Sequence, residues 1–230
     1  MAADQILIED VRRALAEAGD ADKAAGMQRY LKSRLPCYGV LTPTLVRIWR
    51  EVFGAHPLPD RETWHDTVLA LWDDAAYREE RYAAMGLAGH RLYMLYQDPT
   101  TLPLYDHLVV TGAWWDLVDS LATKRIGPLV RAFSGELVPV MYKWARDDDL
   151  WRRRTAVIHQ VGAKRKTDAD LLADCLEPNL DRPEFFLRKA IGWALRDYAR
   201  TDPSWVSAYV DTHNERLSPL SRREAMKNIN

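Results

Sequence analysis

The sequence predicts an all-α chain of stacked helical hairpins, and three observations carry that reading. Apolar residues recur at three- and four-residue spacing in nearly every segment. No stretch sustains two-residue alternation with β-branched enrichment, and no Asn-Gly or Asp-Gly hairpin signal occurs. The breaks between segments are helix punctuation, with a capping side chain at or near a proline.

Taken in order, the spacing predicts helices over 6–16, 45–52, 63–72, 77–96, 115–130, 137–144, 150–161, 169–175, 185–198 and 205–210. Thr42-Pro43, Asp98-Pro99, Asp181-Arg182-Pro183, Thr201-Asp202-Pro203 and Leu217-Ser218-Pro219 mark helix starts. Most connections are short, so neighbouring helices are expected antiparallel. The stretches 114–145, 150–178 and 184–213 each read as one hairpin unit with weak mutual similarity, as in a degenerate HEAT-like helical-repeat solenoid. Such arrays curve into an α-α superhelix whose concave face is the usual binding surface. A globular helical bundle is the competing architecture. No domain boundary stands out, so 1–230 reads as a single domain, and 54–59 is a proline-containing loop rather than a linker.

Composition narrows the function. The chain has 230 residues, 47% apolar and 28% charged, enough for a sizeable core and too apolar for disorder. A net charge of −1 argues against coating nucleic acid by bulk charge, but leaves room for a local basic face. Cys37 and Cys175 lack CxxC spacing and read as buried reduced thiols of a cytoplasmic protein, a single disulfide being the alternative. The N-terminus shows no signal-peptide pattern, and no apolar run approaches the roughly 18 residues of a membrane span. Nucleotide-loop, Ser-hydrolase and zinc-protease motifs are absent, and the six histidines lack metal-ligand spacing, so neither metal nor cofactor is expected. His159, on an apolar helix, reads as a satisfied core residue.

Three constellations remain. In Trp114-Trp115-Asp116-Leu117-Val118-Asp119, a helix puts Trp115 and Asp119 on one face, one turn apart. Adjacent tryptophans diverge by about 100° on a helix, so at most one need face the core. A carboxylate beside a large π-face is a poor core pair and a good pair for a flat cation. Next, Trp151-Arg152-Arg153-Arg154 continues to Lys164-Arg165-Lys166 with no acid between Trp151 and Thr167. Three successive arginines cannot share a helix face; one or two are available for phosphates, another for Asp147, Asp148 or Asp149. Finally, 185–196 places Phe186, Ala190 and Trp193 on one face and Lys189, Trp193 and Arg196 at helical spacing. Gly192 there costs about 1 kcal/mol relative to alanine, which implies a close helix contact or a ligand's approach.

Together the three blocks resemble the AlkD-type family of DNA alkylation-repair glycosylases, in the family's order and over nearly the whole chain from about Met27. The resemblance implies a HEAT-like solenoid that binds duplex DNA in its concave face. It implies N-glycosidic hydrolysis of positively charged N3- or N7-alkylated purines by a monomer with no metal or cofactor. By match to the motifs, Asp119 is the catalytic carboxylate, and Trp115 and Trp193 flank the lesion. Arg154, or else Arg153, stands near the lesion phosphate, and Tyr30 is an N-terminal aromatic contact. Lys189, Lys164 and Arg165 complete the expected DNA-binding set. A non-catalytic HEAT-like module for distorted or branched DNA, or a peptide-binding scaffold, are the readings from other classes.

Overall fold

The computed structural model describes residues 2–229, and every regular element among them is a helix. The chain divides into two compact units, Met1–Gln97 and Asp98–Asn230. Among the described residues no helix is long and apolar enough to cross a membrane.

The first unit holds α1 (Gln5–Glu17), α2 (Ala21–Leu31), α3 (Thr42–Ala55), α4 (Arg61–Asp73) and α5 (Arg78–Ala88). Leu7, Ile8, Val11 and Leu15 form the buried stripe of α1, and they join Phe53, Trp64, Leu71 and Trp72 in the core. Burying such side chains supplies about 1.5–3 kcal/mol each. Glu79, at the start of α5, is fully buried and accepts the backbone N–H groups of Tyr38, Gly39 and Val40 at 3.0, 2.9 and 3.1 Å. A carboxylate so satisfied can be buried, and it ties the loop before α3 to α5.

The second unit holds α6 (Leu102–Gly112), α7 (Trp115–Leu121), α8 (Gly127–Ala132), α9 (Ser134–Trp144), α10 (Leu150–Ile158), α11 (Ala169–Leu176), α12 (Phe185–Tyr198), α13 (Pro203–Thr212) and α14 (Pro219–Ala225). α10 packs on α11, and α12 on α13, as the hairpin pattern predicts. Their shared core contains Ile158, Leu172, Leu176, Ala190, Ile191, Leu195 and Val206. α14 lies closely along α12.

The all-helical class holds, and the departures from the expected elements have local causes. The segment 77–96 is not one helix: α5 ends at Gly89, and Arg91–Tyr96 follows as a 3-10 turn. Glycine is the weakest helix former after proline. The segment 115–130 is nearly continuous, but Ala122–Ile126 winds as a wider π turn between α7 and α8. α10 stops at Ile158 instead of reaching 161, because the chain turns towards Gly162 in left-handed backbone (φ 86°). Asp202 and Ser218 cap α13 and α14 through the N–H groups of Trp205 and Ser221. By contrast Asp181-Arg182-Pro183 precedes a start, at Glu184, that lacks any side-chain cap. Among the described residues the apolar spacing misses three helices, although Asp98-Pro99 and Ser218-Pro219 mark the starts that lead into α6 and α14. α6 is short and buries one face through Leu104, Tyr105, Leu108 and Val109, α2 buries only Leu31, and α14 is short and mostly polar.

Gly127, the first residue of α8, sits against the end of α10. A Cβ there would lie 1.9 Å from the His159 carbonyl oxygen. Alanine is the better helix former by about 1 kcal/mol, but overpacking a rigid backbone contact costs about 1–3 kcal/mol. Gly127→Ala is therefore expected to lower the melting temperature in a thermal scan, at about 2–4 °C per kcal/mol lost. An unchanged or higher value would show that α8 and α10 are loosely apposed.

Candidate active site

The turn between α6 and α7 places the first aromatic pair. Ala113 ends α6 in left-handed backbone (φ 41°), and Trp114 follows extended as the N-cap of α7. The two tryptophans consequently part. Trp114 packs edge-on to Phe186 at 5.4 Å and beside Trp151 at 6.3 Å, while Trp115 opens a turn of helix that ends in Asp119. One packs and the other faces a cleft, because Trp114 stands in extended backbone just before the helix that Trp115 begins.

α10 supplies the partner of Asp119. Asp149 caps this helix by accepting the N–H groups of Trp151 and Arg152, both at 2.9 Å. The three following arginines diverge. Arg152 grips Asp106 with two hydrogen bonds of 2.8 Å, and reaches Asp147 at 3.5 Å. Arg153 turns away to the carbonyls of Ala145, Arg146, Asp147 and Pro178 and to Asn179 Oδ1, so its guanidinium fastens loops. Arg154 is buried, its side chain 5% exposed. Its Nε and Nη2 donate to the two oxygens of Asp119 at 2.7 and 2.8 Å, and its Nη1 donates to the Phe186 carbonyl. Arg154, expected near a phosphate, has a two-pronged hold on the carboxylate and a tie to α12. Asp119 remains 18% exposed.

Burial pushes the Asp119 carboxyl above its ordinary value of 3.8, and the Arg154 guanidinium opposes that shift through its hydrogen bonds and charge. Two charge-assisted hydrogen bonds in fork geometry favour the ionised form strongly, so the pair stands as carboxylate and guanidinium at neutral pH.

α12 lines the facing wall. Leu187, Ala190, Ile191, Ala194 and Leu195 enter the core. The other side presents Phe186, Lys189, Trp193 and Arg196. These residues, with Trp115, Asp119, Arg154, Phe185 and Glu224, line an open cleft of about 360 Å³. Glu224, on α14, has no sequence motif around it. It joins Lys189 Nζ at 3.2 Å through one oxygen and Arg196 Nη1 at 2.6 Å through the other. The Lys189 hydrogen bond is the largest influence holding its carboxyl below the ordinary glutamate value. Gly192 is explained by the same contact. A Cβ there would lie 2.6 Å from Glu224 Cβ and 2.9 Å from the Ser221 carbonyl, so glycine is what admits α14.

The structure therefore gathers Asp119, Trp115, Trp193, Arg154 and Lys189 in one cleft and leaves the other expected residues elsewhere. Lys164 and Arg165 are exposed on the 3-10 turn Lys164–Lys166, in a loop clamped by the Gln160 amide against the Asp168 backbone at 2.8 and 2.9 Å. Tyr30 belongs to the first unit, where it is 74% exposed on α2. His159 is buried, with Nδ1 against the Ala156 carbonyl at 2.7 Å. Its Nε2 finds no hydrogen-bond partner among the described residues, and burial lowers its pKa to about 4. Both cysteines are buried and neither is in a disulfide, and burial raises the Cys175 thiol to about 12. Among the described residues no three His, Cys, Asp or Glu side chains gather as a metal-ligand set.

A family model described as DNA alkylation repair enzyme matches residues 11–229. The chain belongs to that family. A solved structure titled as a predicted DNA alkylation repair enzyme from Enterococcus faecalis is similar to it, with 29% identity and a TM-score of 0.81. That similarity covers 92% of this chain and 96% of the other. No curated protein matches. Membership assigns the chain a part in DNA alkylation repair, and the cleft is the place to ask what chemistry it performs.

Removing one member of a buried ion pair strands the other, at a cost of about 3–5 kcal/mol. Arg154→Gln should therefore destabilise the fold by about 3 kcal/mol at neutral pH. It also removes the influence that opposes burial, so the folded-state pKa of Asp119 rises further above the unfolded value. A raised folded-state pKa makes the stranded carboxylate costly at high pH and cheap once protonated. In urea titrations the penalty should shrink as the pH falls through the raised value towards 3.8. A penalty that does not shrink at any acid pH above 3.8 would contradict the pairing.

Proposed function

We propose that the protein is a DNA glycosylase that hydrolyses the N-glycosidic bond of positively charged N3- or N7-alkylated purines in duplex DNA. The observation that supports this best is the Asp119 carboxylate, fixed by Arg154 and open to a cleft walled by Trp115 and Trp193. Alkylation at N3 or N7 leaves the purine cationic, so the base departs with the C1′–N electron pair as a neutral molecule. It needs little help from an acid. The barrier lies in the oxocarbenium-like sugar left behind. An ionised carboxylate against that sugar stabilises the developing charge and orients a water. Water oxygen then bonds to C1′ and its proton passes to solvent, giving free base and an abasic site.

The tryptophan faces favour a cation by about 0.5–2 kcal/mol per contact. That preference selects charged lesions over neutral DNA. Arg154 acts on the carboxylate instead of on a phosphate, and its position behind Asp119 keeps its charge off the sugar. The exposed Lys164 and Arg165 are then the candidates for phosphate contacts, with Tyr30 as an aromatic contact, while Lys189 lines the cleft beside Glu224. On this reading the whole chain acts as one DNA-binding domain and a monomer. The chemistry requires neither metal nor cofactor, because the leaving group carries its own activation.

A module that merely bound distorted DNA would gain nothing from a carboxylate facing the phosphates. Release of 7-methylguanine from methylated duplex DNA separates the two readings. Wild type should release the base. Asp119→Asn should bind the same duplex but release it about 10²–10³-fold more slowly, the usual cost of losing one electrostatic stabiliser. Uracil, a neutral base with an unweakened bond, should stay in place. Wild-type protein that binds duplex yet releases neither 7-methylguanine nor 3-methyladenine would favour the non-catalytic module.

A further inference from the structure

The cleft holds more positive charge than its proposed chemistry tolerates. Lys189 and Arg196 stand in the same wall as Trp193, and a cation near the sugar opposes the formation of an oxocarbenium. Glu224 answers both of them. One carboxylate oxygen takes Lys189 and the other takes Arg196, and the side chain is only 17% exposed. The position is constructed. Ser218 caps α14, Ser221 Oγ donates to the Arg188 carbonyl of α12 at 2.9 Å, and Gly192 leaves out the Cβ that would keep Glu224 away.

We infer that Glu224 is a positioning residue, the counter-charge that keeps Lys189 and Arg196 off DNA phosphates and off the reacting sugar. Its carboxylate occupies the place between two cations that a phosphate would otherwise take, so DNA must compete for them. The consequence is a trade: looser hold on undamaged duplex, and a cleft whose potential stays favourable to a cationic lesion. The second half of this inference rests on the glycosylase reading; the first half does not.

Glu224→Gln keeps the shape and removes the charge. Binding to unmodified duplex should tighten, and the slope of log affinity against log salt should steepen by about 1–2 as the two released cations take phosphates. Single-turnover release of 7-methylguanine at saturating protein should fall by about tenfold or more, since uncompensated charge now faces the sugar. Affinity and rate thus move in opposite directions, which a merely structural role would not produce. A variant that binds and releases as wild type does, or that loses affinity and rate together while still folded, overturns the inference.

Lys189→Gln leaves α14 untouched and serves if Glu224→Gln does not fold. Because Glu224 already withholds this cation from phosphate, the salt slope should stay at the wild-type value. A slope flattened by about 1 would show Lys189 on a phosphate in the wild type and would overturn the proposal. Should wild type release no alkylated base at all, the glycosylase reading fails, while the salt slopes still decide whether Glu224 withholds two cations from phosphate.

Discussion

A carboxylate that is four-fifths shielded from water stays ionised only if something replaces the water, and in this molecule Arg154 does so. Its fork matches both Asp119 oxygens, and its remaining nitrogen reaches the Phe186 carbonyl. One side chain on α10 thereby fastens α7 to α12. The walls of the cleft follow from that tie: Trp115 comes with Asp119, and Lys189, Trp193 and Arg196 come with Phe186. Buried ion pairs add little net stability compared with apolar contacts of the same volume. Their retention here is better understood as a requirement of the cleft, which needs a fixed negative charge with its countercharge set behind it.

The same arrangement explains how a chain with a net charge of −1 can work on DNA. Attraction for phosphate comes from local groups, and several of the basic residues that suggest it are already occupied. Arg152 is held by Asp106, Arg153 by loop carbonyls and Arg154 by Asp119. Lys189 and Arg196 share Glu224. The exposed 3-10 turn Lys164–Lys166 offers cations with no such restraint in its immediate geometry. On the proposed function, grip on the backbone and chemistry at the base fall to different groups, which suits a DNA alkylation repair enzyme that must pass over undamaged DNA.

Much of this was legible in the residues, for identifiable reasons. The three-to-four spacing of apolar residues gave the helices that bury one stripe, such as α1, α4 and α12, and failed for α2, which buries only Leu31. The four-residue spacing of Trp115 and Asp119 is a local geometric fact, and helix geometry parted the three arginines; the two tryptophans part instead at the extended residue that precedes α7. Which arginine goes where is not local. The Arg154–Asp119 pair joins positions 35 apart in the chain, and nothing in Trp-Arg-Arg-Arg distinguishes the residue destined for a carboxylate from one bound for a phosphate. Glu224 was invisible for the same reason: it lies on a short polar helix and matters only through α12. Its one trace in the sequence was Gly192, whose cost in a helix pointed to a close approach without saying of what.

The central claim is that an ionised Asp119 stabilises the charge that develops on the sugar as the base departs, and the pH dependence of single-turnover 7-methylguanine release addresses it most directly. On the acid side of neutrality the N7-methylated guanine keeps its full positive charge, so the acid limb of the profile reports the protein. The account predicts a rate that is level through neutrality and falls along a single acid limb whose midpoint lies above 3.8, where the buried carboxyl takes up its proton. A rate that rises as the pH drops would mean that the protein works by donating a proton, and the role given to Asp119 would be wrong.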